Sequence, residues 1–101
     1  ENGANVNFIN KRNENAFLIA CKHNNLKIIK YLQDLNENIN FQDDALYTPL
    51  MWASMYKYDN VCDFLIENGA DHLLKNKYNK TAMVLADEMR NDYFKKEVWI
   101  Y

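Results

Sequence analysis

The sequence predicts an all-α fold, a solenoid of stacked helix-turn-helix units with projecting turns. Three observations carry that prediction. First, a six-residue frame recurs every 33 residues, as Asn15-Ala16-Phe17-Leu18-Ile19-Ala20, Thr48-Pro49-Leu50-Met51-Trp52-Ala53 and Thr81-Ala82-Met83-Val84-Leu85-Ala86. Each copy holds a residue able to cap a helix, a small residue or Pro, three mainly large apolar residues and an Ala. Second, Asn2-Gly3-Ala4-Asn5, Leu35-Asn36-Glu37-Asn38 and Asn68-Gly69-Ala70-Asp71 keep the same interval. Third, the apolar residues between these markers follow helical spacing. A period in this range is the signature of a stacked-repeat architecture.

The first helix of each unit is expected to start at Asn15, Thr48 and Thr81, whose side chains can accept hydrogen bonds from the open amides of the first turn. Pro49 suits the first helical position, where a missing amide costs nothing. Phe17 and Ala20, Leu50 and Ala53, and Met83 and Ala86 are each three apart and share a face. The Ala positions are where neighbouring helices should come closest. After short turns at Asn24-Asn25, Lys57-Tyr58 and Arg90-Asn91 a second helix follows. Its apolar face is expected to hold Ile28, Ile29, Leu32 and Leu35 with Tyr31 beside them, then Val61, Cys62, Leu65 and Ile66 with Phe64 alongside. In the last unit Lys95 and Glu97 take phases held earlier by large apolar residues, as a terminal unit with a polar outer face requires. Phe94 and Val98 can still pack inward, and Trp99, Ile100 and Tyr101 form an apolar end.

Between units, Asn10, Asp43 and Asn76 share one phase and can fix a turn by bonding their own backbone two residues on. Gly3, Asn36 and Gly69 share another, suited to the left-handed conformation that ends a helix. Residues 1–9 read as the end of a preceding unit, and 10–42, 43–75 and 76–101 as two full units and a C-terminal cap, all in one domain.

Composition narrows the function. The net charge of −2, from 12 basic and 14 acidic residues, gives no electrostatic footprint for nucleic acid or an anionic membrane. The longest apolar run, Ala16 to Cys21, is too short to span a bilayer. The chain opens without an initiator Met and without the pattern of a signal peptide, which reads as a segment of a longer protein. Two cysteines are far from a disulfide framework; Cys21 and Cys62 read as small buried thiols in a reducing, intracellular setting, with the cytoplasm the expected compartment. Asn79-Lys80-Thr81 matches a glycosylation acceptor, but reads as turn chemistry.

No catalytic, cofactor or metal constellation emerges. His23 and His72 lie at different phases. Cys21 and His23, two apart on one helix, point away from each other. Asp43-Asp44 reads as a turn-fixing carboxylate beside a solvated one. Two Cys and two His lack the paired spacings of a zinc site.

The frame around Thr48-Pro49-Leu50, with Ala53 closing it and Gly69-Ala70-Asp71 following, resembles the ankyrin repeat family, whose motif runs Thr-Pro-Leu-His-x-Ala and later Gly-Ala-Asp. Where that family usually has Gly in its turn, this chain has Asn13, Leu46 and Asn79, and Leu46 is the largest departure. The resemblance implies a non-enzymatic module that binds another protein on a concave surface lined by turn tips and first helices. Carried onto this chain, that surface takes in Lys11, Arg12 and Glu14; Asp44, Tyr47, Trp52, Met55 and Tyr56; and Lys77, Tyr78, Lys80 and Met89, with His23 at the first repeat. Trp52 and Ile19 are expected to be half-buried. Aromatic residues and Met in the middle of a patch are what interface hot spots are made of. The expected state is a monomer, with no nucleic acid and no membrane insertion. The alternatives are a regulatory or targeting segment of a larger enzyme or membrane protein, and self-association through the open N-terminal face.

Overall fold

The computed structural model describes residues 9–35 and 38–95, which hold α1 (Ala16–Lys22), α2 (Leu26–Asp34), α3 (Pro49–Met55), α4 (Asp59–Glu67), α5 (Ala82–Glu88) and a 3-10 turn at Tyr93–Lys95. Among the described residues there is no strand, only an isolated antiparallel bridge between Ile9 and Asn15. The sequence expectations for residues 1–7, Asn36, Glu97, Val98 and the apolar end Trp99–Tyr101 lie outside the described residues.

The three predicted caps form as expected. Asn15 accepts from the Leu18 amide at 2.8 Å, Thr48 from Met51 at 3.1 Å and Thr81 from Val84 at 3.3 Å. Pro49 occupies the first turn of α3. The exits repeat as well. The Ala20, Ala53 and Ala86 carbonyls accept from the amides of Asn25, Tyr58 and Asn91 at 3.1, 2.9 and 2.8 Å. That bond is made across a left-handed residue, Asn24, Lys57 or Arg90, with φ near +60° in each case. A helix closed in this way satisfies carbonyls that would otherwise face nothing. Gly69, at φ 92°, ends α4 by the same device, with the Ala70 amide on the Leu65 carbonyl at 2.9 Å.

Each first helix packs on the second helix of its unit, α1 on α2 and α3 on α4, and α1, α3 and α5 stand side by side. The result is elongated, 43 × 25 × 20 Å. Its core runs through all units: Phe17, Ala20, Cys21, Ile29 and Leu32 from the first; Leu50, Met51, Ala53, Val61, Cys62 and Leu65 from the second; Ala82, Leu85, Ala86, Tyr93 and Phe94 from the last. Both thiols are buried, as expected, and burial followed by the neighbouring Cys62 drives the Cys21 thiol well above its ordinary value.

Two expectations are corrected. Ile28, Tyr31 and Leu35 do not join Ile29 and Leu32 in the core; they are exposed. No described helix lies beyond that side of α2. At the other end Met83 and Val84 are exposed, although their period mates Leu50 and Met51 are almost wholly buried, because α5 covers α3 and no described helix covers α5. In the last unit, the described part of the second helix is a single 3-10 turn.

That last unit is bound to the middle one by directional bonds. Asn91 donates through Nδ2 to the Ser54 carbonyl at 2.9 Å and accepts at Oδ1 from the Tyr93 amide at 3.1 Å. Tyr93 is buried and donates its hydroxyl to Asp63 at 2.6 Å. Burial and then the Asp63 carboxylate raise the Tyr93 phenol well above its ordinary range. A proton held more tightly in the folded state stabilises the fold below the unfolded phenol's pKa of about 10, and that contribution is lost as pH rises beyond it. Tyr93→Phe should therefore cost about 1.5 kcal/mol near neutral pH, the low end for a bond to a charged acceptor, since Asp63 is exposed and regains water. It should also flatten the loss of stability above about pH 10. Urea denaturation at pH 7 and at stepped alkaline pH measures both.

Candidate partner-binding groove

The turn tips are built on one pattern. Asn10 Oδ1 accepts from the amides of Arg12 and Glu14, Asp43 Oδ1 from Ala45 and Tyr47, and Asn76 Oδ1 from Tyr78 and Lys80, all at 2.9–3.0 Å. Each turn closes with a backbone bond, from Asn10 to Glu14, Asp43 to Tyr47 and Asn76 to Lys80. Asn13, Leu46 and Asn79 take φ of 60°, 65° and 63°, so Leu46 adopts the conformation for which Gly or Asn is better suited. Successive tips are then tied together: the Asp44 amide donates to the Arg12 carbonyl and the Lys77 amide to the Ala45 carbonyl, at 3.1 and 2.9 Å. Gln42 extends the tie through Nε2, which donates to the Leu46 and Lys75 carbonyls. A row of turns held to one another in this way presents a preformed surface.

Beside the turns, on α3, lies an aromatic row. Tyr47 stacks on Trp52 at 4.7 Å between ring centroids, Trp52 on Tyr56 at 5.7 Å, and Tyr56 meets Tyr58 at 5.6 Å. Trp52 is half-buried, as expected, and held on two sides. Its indole Nε1 donates to Asp43 Oδ2 at 3.1 Å, and the Lys22 ammonium sits 4.6 Å from its ring centroid. Lys22 in turn is fixed by Glu14 at 2.5 Å. Burial alone would raise the Glu14 carboxyl, but hydrogen bonds from Asn10 and Lys22 and the charges of Lys22 and Arg12 outweigh it and hold it below its usual value. Tyr47 is shifted the other way, upward, first by burial and then by its neighbour Tyr78.

This geometry revises the expected surface at one position. Glu14 is 4% exposed and turned inward, where it positions Lys22 under the aromatic row, so its side chain is no partner contact. Lys11, Arg12, Asp44, Lys77, Tyr78 and Met89 are exposed, as are Tyr56 and His23; Tyr47, Trp52, Met55 and Lys80 are half-buried. His23, Tyr56 and Met89 share one role as the C-caps of α1, α3 and α5. The periodicity also conceals a reversal. The phases of Glu14 and Lys22 carry Lys80 and Glu88 in the last unit, again as an ion pair, at 2.6 Å but with the charges exchanged and more open to solvent. Tyr58, which extends the row, was not among the expected residues, because its role as the N-cap of α4 carries no sequence signal: its side chain makes no capping bond.

Asp43 does two jobs, of which its mates share only the first. Asn10 and Asn76 hold the same turn with an amide, so Asp43→Asn should keep the turn while placing an amino group against the Trp52 N–H. The expected cost is about 1 kcal/mol, and it should vanish in a double-mutant cycle with Trp52→Phe. Chemical denaturation of the four proteins measures it.

A model described as ankyrin repeats, in three copies, matches residues 2–76. The chain belongs to the ankyrin repeat family. Among curated proteins, an ankyrin repeat protein of Borreliella burgdorferi described as putative is 35% identical over 89 residues, covering 88% of this chain and 40% of that protein. A palmitoyltransferase of Candida glabrata is 27% identical over 88 residues, 87% of this chain but 12% of the enzyme. Mouse ankyrin repeat family A protein 2 is 44% identical over 48 residues, 48% of this chain and 15% of that protein. The ankyrin chain thus spans less than half the length of these relatives. No described helix is long and apolar enough to cross a membrane.

Proposed function

We propose that this ankyrin array is a non-enzymatic, cytoplasmic module that binds a partner protein across its turn tips and first helices. The observation that carries the reading is the row Tyr47–Trp52–Tyr56, stacked, partly exposed and held from below by Asp43 and Lys22. Rigid aromatic surface of this kind gives up little side-chain freedom on binding, so less of the contact energy is offset by ordering. The rest of the surface takes in Lys11, Arg12 and His23 from the first unit, Asp44 and Met55 from the second, and Lys77, Tyr78, Lys80 and Met89 from the last. The basic tips Lys11/Arg12 and Lys77/Lys80 favour a partner segment with acidic flanks and an apolar middle.

The test compares proteins retained by the immobilised chain and by Tyr47→Ala/Tyr56→Ala, followed by direct titration of a purified retained protein. The double variant should bind at least about tenfold more weakly at matched folded fraction, as the loss of hot-spot aromatics implies. Equal capture and equal affinity by two equally stable proteins would remove the groove assignment. A second reading is favoured by the likeness to a palmitoyltransferase: the array acts as a regulatory or targeting segment within a larger enzyme. The same groove would then meet another domain of its own protein, and the sequence flanking this segment decides between the two.

A further inference from the structure

The three turn tips carry the same kind of side chain but do not complete it alike. Asn10, Asp43 and Asn76 each engage Oδ1 with two backbone amides, which turns the other polar atom of the group away from the turn. In the first unit that atom, Asn10 Nδ2, donates to Glu14 Oε1 at 3.0 Å. In the second, Asp43 Oδ2 accepts from Trp52 Nε1 at 3.1 Å. Both partners come from the same unit, at fixed phases. In the third unit those two phases hold Lys80, a donor, and Leu85, which is apolar. Asn76 is 4% exposed, and its Nδ2 meets no acceptor among the described residues. A buried donor left unmade is costly, and the residues of its own unit set the deficit here.

The first unit shows what answers such a donor. Glu14 places one oxygen on Asn10 Nδ2 and the other on the Lys22 ammonium, a carboxylate between an amide and a cation. The third unit has the amide and the cation, but its own carboxylate, Glu88, pairs with Lys80 at 2.6 Å and leaves Asn76 unmet. That pair is open to solvent, where an ion pair holds weakly. Lys77, at the same tip, is exposed, its ammonium 5.4 Å from the Tyr78 ring centroid. Tyr47 feels the charges of Lys80 and Glu88 and has Tyr78 as a neighbour, so the tip adjoins the aromatic row. We infer that this tip receives an aspartate or glutamate side chain of the partner, one oxygen on Asn76 Nδ2 and the other on Lys80 released from Glu88. Hydrogen bonds of this charge-assisted kind are the strong ones, and Lys77 offsets the repulsion from Glu88. The first tip offers a carboxylate only exposed Lys11 and Arg12, because Asn10 is already met by Glu14. The buried contact therefore sets which end of the partner segment lies on the third unit. The inference rests on the groove reading and adds the residue class that is recognised and where.

Two measurements test it. The first titrates the whole chain with sodium acetate to about 0.2 M, beside sodium chloride of equal ionic strength so that screening is matched. In nitrogen–proton correlation spectra the Asn76 side-chain amide signals should move with acetate and not with chloride, while those of Asn10 stay in place. The exchange Lys80→Glu/Glu88→Lys copies the Glu14–Lys22 pair of the first unit, so it should meet the donor from within and abolish the response. The second measurement titrates the purified retained protein. Asn76→Asp, which keeps the turn as Asp43 does, should weaken its binding at least about tenfold by losing the donor and adding repulsion, with a denaturation midpoint near wild type. The exchange should weaken it as well. Equal movement in acetate and chloride, an acetate response that survives the exchange, or undiminished binding by both variants would each overturn the inference. Failure of the aromatic row reads differently: Tyr47→Ala/Tyr56→Ala would bind as wild type while Asn76→Asp does not, and the carboxylate site would stand.

Discussion

Leu50→Ala should lower the free energy of unfolding by about 2–5 kcal/mol, while Met83→Ala, at the same phase one period later, should cost about 1 kcal/mol or less. Both residues stand two places into a first helix, three before the recurrent Ala, and the sequence alone treats them alike. Leu50 is 1% exposed and belongs to the core shared by all units, whereas Met83 is 39% exposed on the open side of α5. Removing Leu50 loses transfer free energy and leaves a cavity between α3 and its neighbours, which a close-packed interior fills only partly. Because a short solenoid is held by interfaces between adjacent units, the cavity weakens two interfaces at once. Urea denaturation of the two variants beside wild type is the measurement. Equal costs at the two sites would mean that α5 is covered as fully as α3.

Ala53→Leu is expected to cost about 1–3 kcal/mol by the opposite fault, overpacking. Ala53 has no exposed surface, and its mates Ala20 and Ala86 are also buried where α1, α3 and α5 run side by side. Three added carbons have no void to enter, so either the side chain leaves its preferred rotamer or the helices part. The same Ala supplies the carbonyl that closes α3 through Tyr58, so a shift of the backbone there also strains the turn at Lys57. A denaturation midpoint equal to wild type would show that the helices do not meet closely at this residue.

How far the molecule was legible from its sequence follows from which interactions are local. Caps and turn-fixing residues act within five positions of themselves, so Asn15, Thr48 and Thr81, and Asn10, Asp43 and Asn76, announced their roles by type and spacing. The aromatic row Tyr47–Trp52–Tyr56 was legible for the same reason, since the turn and the first helix carry its residues at a fixed phase. Glu14 was misread because its partner Lys22 is eight residues away and one helix turn too many to infer; only the folded hairpin turns both inward under Trp52. The turns at Asn24, Lys57 and Arg90 were expected, but their left-handed conformation was not, as no glycine marks it.

The amino-acid order determined the repeat, its length, the start of each first helix and the family to which the chain belongs. Those features are written in local hydrogen bonds and apolar period, and they are the same in every unit. What tertiary structure alone decided is which equivalent residues are buried: Val61 but not Ile28, Leu50 but not Met83. Burial depends on having a neighbour, and a residue's phase says nothing about whether another helix stands beyond it.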